Sequence, residues 1–104
     1  MAMSMIAPGS SEVPSHFHLN EDEWFIVIKG QLQLVINGET KILAEGENCR
    51  VKKGETHSWK AVGESVLHLL VIFSPAGIEE MFKELDAAPH KVKEISKVYG
   101  TEFL

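Results

Sequence analysis

His16 and His18 stand one residue apart, and Glu23 follows at the head of the apolar run "EWFIVIKG". On an extended backbone, residues i and i+2 project to the same side. The two imidazoles would then point together, with Phe17 turned away. Neutral imidazole is the commonest protein ligand for metals, so a His-x-His pair on a strand is a natural two-point clamp for a divalent cation. In a loop, the same pair is usually two solvated surface residues. A carboxylate at the mouth of a core strand is costly to bury alone. A cation would neutralise Glu23; a solvated strand end would also accommodate it, and that is the expectation for Glu21 and Asp22. A third histidine, His57, follows a glycine turn in "GETHSWK" and begins another strand. Three nitrogens and one oxygen converging in this way leave one or two coordination positions open, as a reactive metal site needs.

These residues need strands to position them. "EWFIVIKG" is aromatic and β-branched and ends at Gly30, and "QLQLVI" alternates Leu32, Leu34 and Ile36 on one face. Asn37-Gly38 is a tight-hairpin signal, followed by "ETKIL". Gly46, Gly54 and Gly63 punctuate further short strands, and "SVLHLLVIF" reads as the last and most buried one. Short strands with regular turns predict an antiparallel sandwich or barrel. Residues 1–15 read as a loop or a frayed edge strand. Beyond Pro75 the period changes. Ile78, Met81, Phe82 and Leu85 mark one face of a helix, and Val92, Ile95, Val98 and Tyr99 mark a second, between Pro89 and Gly100.

The bulk properties narrow the function. A chain of 104 residues fits one domain. The net charge of −5 argues against nucleic acid and against anionic membrane surfaces. The longest apolar run, Val66 to Phe73, is too short to span a bilayer. Cys49 is the only cysteine, and it reads as a small buried hydrophobe. With no signal peptide visible in "MAMSMIAPGS", a cytoplasmic location is expected.

The spacing of the candidate ligands resembles the cupin superfamily, specifically its small single-domain members. The first family motif runs G, five residues, H-x-H, three or four residues, E, six residues, G. Here it reads Gly9, six residues, His16-Phe17-His18, four residues, Glu23, six residues, Gly30. The second runs G, five residues, P-x-G, two residues, H, three residues, N. Here it reads Gly46, five residues, Lys52-Lys53-Gly54, two residues, His57, three residues, Ala61. Lys52 and Ala61 replace a proline and an asparagine that are not ligands in the family. "FSPAGIEEMFKEL" and "VYGTEFL" resemble the tail of cupins related to quercetin-type dioxygenases.

The resemblance implies an all-β double-stranded β-helix, or jelly-roll barrel, in a single domain. Residues 1–8 would be a flexible lead, 9–74 the barrel and 75–104 a helical tail. It implies one divalent ion (Fe, Mn, Ni, Cu or Zn) on His16, His18, Glu23 and His57. It also implies a small-molecule ligand or substrate. Dioxygenase-type oxidation of a small aromatic or diketone substrate is the first functional expectation. A metal-dependent isomerase or lyase, or a non-catalytic binding or sensor protein, is the alternative. Glu23 is the candidate base, and His68 a candidate proton carrier if it faces the pocket rather than packing as a core histidine. By alternation Phe25 and Val27 share the face of Glu23, and Trp59 that of His57; all three are candidate pocket walls. Trp24, Ile26 and Ile28 would then form an apolar outer face. Family members usually place one or two strands before the first motif, and only eight residues precede Gly9. Both features suggest a homodimer whose partners complete and cover each other's sheets.

Overall fold

The structure, a computed structural model, describes residues 1–104. Nine strands and two helices run in chain order: β1 (Ala2–Ala7), β2 (Glu12–His18), β3 (Asp22–Lys29), β4 (Leu32–Ile36), β5 (Glu39–Leu43), β6 (Asn48–Val51), β7 (His57–Ala61), β8 (Leu67–Ser74), α1 (Glu79–Ala87), α2 (Val92–Val98) and β9 (Thr101–Phe103). A short 3₁₀ turn, Pro89–Lys91, joins the helices. Two antiparallel sheets face each other. One has the order β1-β8-β3-β6 and the other β5-β4-β7-β2-β9. This is the jelly-roll β-sandwich expected from the sequence.

Alternation builds the core. In β8, Leu67, Leu69, Val71 and Phe73 are buried and the residues between them are not. In β3 the buried positions are Glu23, Phe25 and Val27. From the facing sheet come Leu32, Leu34 and Ile36 of β4 and His57, Trp59 and Ala61 of β7. Each fully buried large apolar side chain contributes about 1.5–3 kcal/mol relative to exposure. The β4–β5 hairpin turns at Asn37 and Gly38, both at positive φ (49° and 82°), as a two-residue hairpin matched to strand twist requires. At Gly9, a Cβ would lie 2.3 Å from the backbone of Glu64, so the first motif glycine permits a close crossing of two chain segments.

Three expectations change. Residues 2–7 are no flexible lead: β1 pairs with β8 from Ala2↔Ile72 to Ala7↔Leu67, because "AMSMIA" alternates Met3 and Met5 inward. The chain therefore supplies its own strand ahead of the first motif, and the case for a partner from a missing strand falls. The tail is not wholly helical either. After α2 the chain returns as β9 and pairs with β2, placing His16 opposite Phe103 and His18 opposite Thr101.

Candidate metal centre

The strands carry the donors to one place. β2 and β7 are neighbours, with His16 opposite His57. Glu23 lies on β3 in the facing sheet, with its side chain inward. His16, His18, Glu23 and His57 are all buried, and one potential ligand atom from each lies within 4.8 Å of the others. The His16 ring centroid is 4.2 Å from that of His57 and 4.9 Å from that of His18. Glu23 Oε1 is 3.0 Å from His57 Nε2 and 3.3 Å from His18 Nε2.

The hydrogen bonds on the far side of the rings fix what faces inward. His57 Nδ1 is 3.1 Å from the carbonyl oxygen of Glu55, and His16 Nδ1 is 2.7 Å from that of Pro14. A carbonyl only accepts, so each Nδ1 carries a hydrogen and donates it. In a neutral ring the inward Nε2 is then a bare lone pair. For His57 that lone pair meets Glu23 Oε1, itself an acceptor. Two acceptors at this distance repel unless a proton or a cation lies between them. His18 Nδ1 pairs with Thr101 Oγ1 at 2.7 Å, a hydroxyl that both donates and accepts. Metal-ligating histidines are ordinarily oriented in this way, by giving the second ring N–H to a backbone or side-chain oxygen. Three neutral imidazoles and one carboxylate therefore fit a divalent transition metal.

The electrostatics agree with that use. Burial lowers the His16 pKa from 6.5 to about 4; the Pro14 carbonyl opposes this, and His57 and His18 add to it. His16 is neutral at physiological pH, as a ligand must be. For Glu23, burial works against ionisation, but a proton lying between the carboxyl and the His18 and His57 rings outweighs it and holds the carboxyl below its usual range. Asp22 lies at the solvated strand end as expected, held low first by the Arg50 guanidinium and then by the Lys53 backbone N–H. Glu21 does not: it is buried, its Oε1 has no hydrogen-bond partner, and burial pushes its carboxyl up. The turn that carries Lys52 in place of proline is tied down instead by Gly54 N–H, which donates to the His18 carbonyl at 2.7 Å. That bond fastens the second motif to the first.

A cavity of about 120 Å³ opens onto His16, His18 and Glu23, while His57 is sealed behind them. Most of its wall is apolar. Phe25 and Trp59 line it. Val27 does not; it is fully buried within the apolar cluster two positions further along β3. His68 is also elsewhere. Leu67 and Leu69 take the inward positions of β8, so His68 faces outward, where its Nε2 is 2.6 Å from Ser4 Oγ. It cannot serve the cavity as a proton carrier. Met3 and Met5 of β1, Met81, Phe82 and Leu85 of the α1 region and Ser96, Thr101 and Phe103 complete much of the wall. The strand reading missed β1 and β9. The alternation of Met1, Met3 and Met5 was a usable signal, whereas nothing local ties Thr101 to a histidine 83 residues away.

Comparison with known proteins places this geometry in a family. A family model described as "Cupin domain" matches residues 2–73. No curated protein matches the chain. Among solved structures, one named as a predicted oxalate decarboxylase from Thermotoga maritima is similar at 27% identity and TM-score 0.66, covering 70% of this chain and 64% of that one. The chain thus spans less than two thirds of that relative. A cupin-2 domain containing protein from Shewanella frigidimarina is similar at 27% identity and TM-score 0.61, covering 72% and 69%. KdgF from a Halomonas species shares the fold at 21% identity and TM-score 0.69, covering 77% and 72%.

Proposed function

The chain belongs to the cupin domain family, and from that premise we propose that it holds one divalent metal ion on His16, His18, His57 and Glu23 and uses it to bind and oxidise a small chelating molecule. The carrying observation is the meeting of four buried donors within 4.8 Å, with ring tautomers that leave lone pairs facing a carboxylate. The ion would supply Lewis acidity and a template for ligand oxygens. His16, His18 and His57 hold it through Nε2 and Glu23 through its carboxylate. Glu23 is also the group that can accept the proton an acidic diketone or catechol loses on binding.

Charge and size choose the ligand. Three neutral rings and one carboxylate leave one positive charge on a divalent ion. The surrounding wall is apolar, and burying a surplus charge there is costly. A ligand arriving as a monoanion, such as the enolate of a 1,3-diketone or a singly ionised catechol, balances the site. Oxalate, the substrate class in the Thermotoga relative's name, would leave it negative. A cavity of roughly 120 Å³ is smaller than the 150 Å³ apolar cavity that holds a benzene, so it can enclose no more than part of a small diketone or catechol and excludes a flavonol. Dioxygenase-type oxidation, with O₂ as oxidant, is the reaction we propose.

One observation favours a second reading. With His68 on the outer face, the cavity wall carries no acid or base beyond the donor set itself. That supports a protein that binds the same ligand class without turnover. Elemental analysis followed by oxygen uptake decides. Near-stoichiometric metal with O₂ consumed in the presence of acetylacetone or catechol supports the enzyme. Metal with saturable binding and no uptake supports the binding protein, and a chain that takes up no Fe, Mn, Ni, Cu or Zn overturns both.

We also propose that the protein works in the cytoplasm as a homodimer. The support is the outer face of the four-stranded sheet, where Trp24, Ile26, Leu70 and Ile72 are only half-buried and Ile28 and Ile6 are exposed. Sedimentation at micromolar concentration should give twice the chain mass, and a monomer would refute it.

A further inference from the structure

The His-x-His pair of β2 faces a matching pair on β9. His18 lies opposite Thr101 and His16 opposite Phe103, while Phe17 lies opposite Glu102. Directly opposite residues of an antiparallel pair project to the same side of the sheet. Thr101 and Phe103 therefore turn inward with the two imidazoles, and Phe17 and Glu102 turn out. The two inward residues differ, and so do the rings they meet. His18 Nδ1 pairs with the Thr101 hydroxyl. His16 Nδ1 is already engaged by the Pro14 carbonyl at 2.7 Å, and the residue opposite brings it no polar atom. It brings a phenyl ring, whose centroid lies 5.2 Å from that of His16 at an interplanar angle of 32°. The other two imidazoles meet phenyl rings more nearly edge-on. Phe73 stands at 83° to His18 and Phe25 at 69° to His57, with centroids 5.5 Å and 6.1 Å apart. Of these three phenyl rings, Phe103 lies closest to parallel with its imidazole.

We propose that Phe103 is a positioning residue of the metal centre: its ring covers one face of His16, fixes the plane of the imidazole and keeps water off that face. The inference rests on the metal-site reading above and gives the C-terminal strand a part in it. The Pro14 hydrogen bond holds one edge of the imidazole. The last torsion of a histidine side chain is broad, so a flat neighbour is what limits its tilt. An aliphatic side chain of similar size would fill the space without offering a flat face. Ring pairs at such separations gain beyond the area they bury. The apolar shell of a metal site also controls solvent access and the local dielectric. β9 is short and lies at the edge of its sheet, but it is pinned at both ends. Leu19 N–H donates to the Gly100 carbonyl at 2.8 Å, and Leu104 N–H to the Ser15 carbonyl at 3.0 Å.

Zinc affinity, measured by competition with a chromogenic chelator, tests the role, with the melting temperature of each metal-free variant recorded alongside. Phe103→Leu keeps an apolar side chain and removes the ring. It should weaken zinc binding about tenfold, the lower end of what losing a supporting partner costs. Phe103→Tyr keeps the ring and should keep the wild-type affinity. Phe17→Leu, on the outward face of the same strand pair, should bind zinc as the wild type does. If Phe103→Leu does not fold, Phe103→Met, whose side chain adapts to irregular space, takes its place against Phe103→Tyr. Packing alone would make affinity follow melting temperature and ignore the ring. Equal affinities in the ring-free and ring-bearing variants, whether both are weakened or neither, therefore overturn the role of Phe103 and leave the metal site standing. Nuclear Overhauser effects between the Phe103 and His16 ring protons of the metal-free wild type test the contact directly, and their absence overturns it. A wild-type chain that takes up no zinc overturns the metal-site reading and this inference with it.

Discussion

The two ends of this sandwich are built from the same strands by opposite rules. At one end Val27 of β3, Leu32 and Leu34 of β4 and Leu67 and Leu69 of β8 are completely buried and wholly apolar. At the other, the same sheets present Glu23, His16, His18 and His57, equally withdrawn from water but titratable. The apolar end gains free energy from every side chain it hides. The polar end costs free energy until its donors are satisfied together. The difference teaches how a domain this small can afford the site: a dense apolar half sets the strand register, and that register aims four polar groups it did not need for folding.

The comparison is broken most severely from the apolar end. Leu69→Ala removes a fully buried side chain and should cost about 2–5 kcal/mol by chemical denaturation, whether or not metal is present. A loss that vanished on adding metal would mean that the two ends are not separable. The next effect belongs to the polar end and is driven by pH. In the metal-free protein His16 has a folded pKa of about 4 against 6.5 unfolded. The lowered value means that, between these two, the unfolded chain takes up a proton that the folded one refuses. The stability is complete above pH 6.5 and is lost as the pH falls towards 4, by about 3 kcal/mol. Glu23, also lowered, loses its contribution in the same direction at still lower pH. Urea midpoints measured from pH 7.5 to 4.5 should fall accordingly; a flat profile would show that burial of His16 carries no such cost.

The apolar end was legible from the sequence, and the polar end only partly so. Period-two alternation in "QLQLVI" marks which side chains enter the core, since a strand with one buried face has little freedom of register. The spacing of His16, His18, Glu23 and His57 picked out the four residues that the fold brings together. Burial of Glu21 was not legible, because three consecutive acids look alike until the turn after His18 is folded. Val27 was assigned to the pocket by alternation, which gives the face but not the depth at which the cavity stops. His68 failed for a related reason: in a run as uniformly apolar as Val66 to Phe73, only the paired strand tells inward from outward. The tail hid most. Thr101 matters through a contact made across the fold, where periodicity carries no information.

A sharper version of the comparison removes one donor. His18→Ala should lose the metal and, with it, the melting increment that metal gives the wild type, about 2.7 kcal/mol when metal stands at a hundred times its dissociation constant. His90→Ala, in the 3₁₀ turn outside the cavity, should change neither. Equal metal content in both variants, measured by elemental analysis, would remove His18 from the site.

The smallest effect tests whether the polar end is held in place from behind. Thr101→Val keeps the shape of the side chain and deletes the hydroxyl that pairs with His18 Nδ1. The ring then loses the bond that fixes its tautomer and its orientation, while His16, Glu23 and His57 keep their own partners. Loss of such a partner typically costs 10- to 100-fold in metal affinity. His68→Ala supplies the matched control, since it too removes an imidazole hydrogen bond, but one made to Ser4 on the outer face. Competition with a chromogenic chelator should therefore show weakened metal binding in Thr101→Val and unchanged binding in His68→Ala. If the two variants matched the wild type, the β9 strand would be packing only, and the aim of His18 would come from β2 alone.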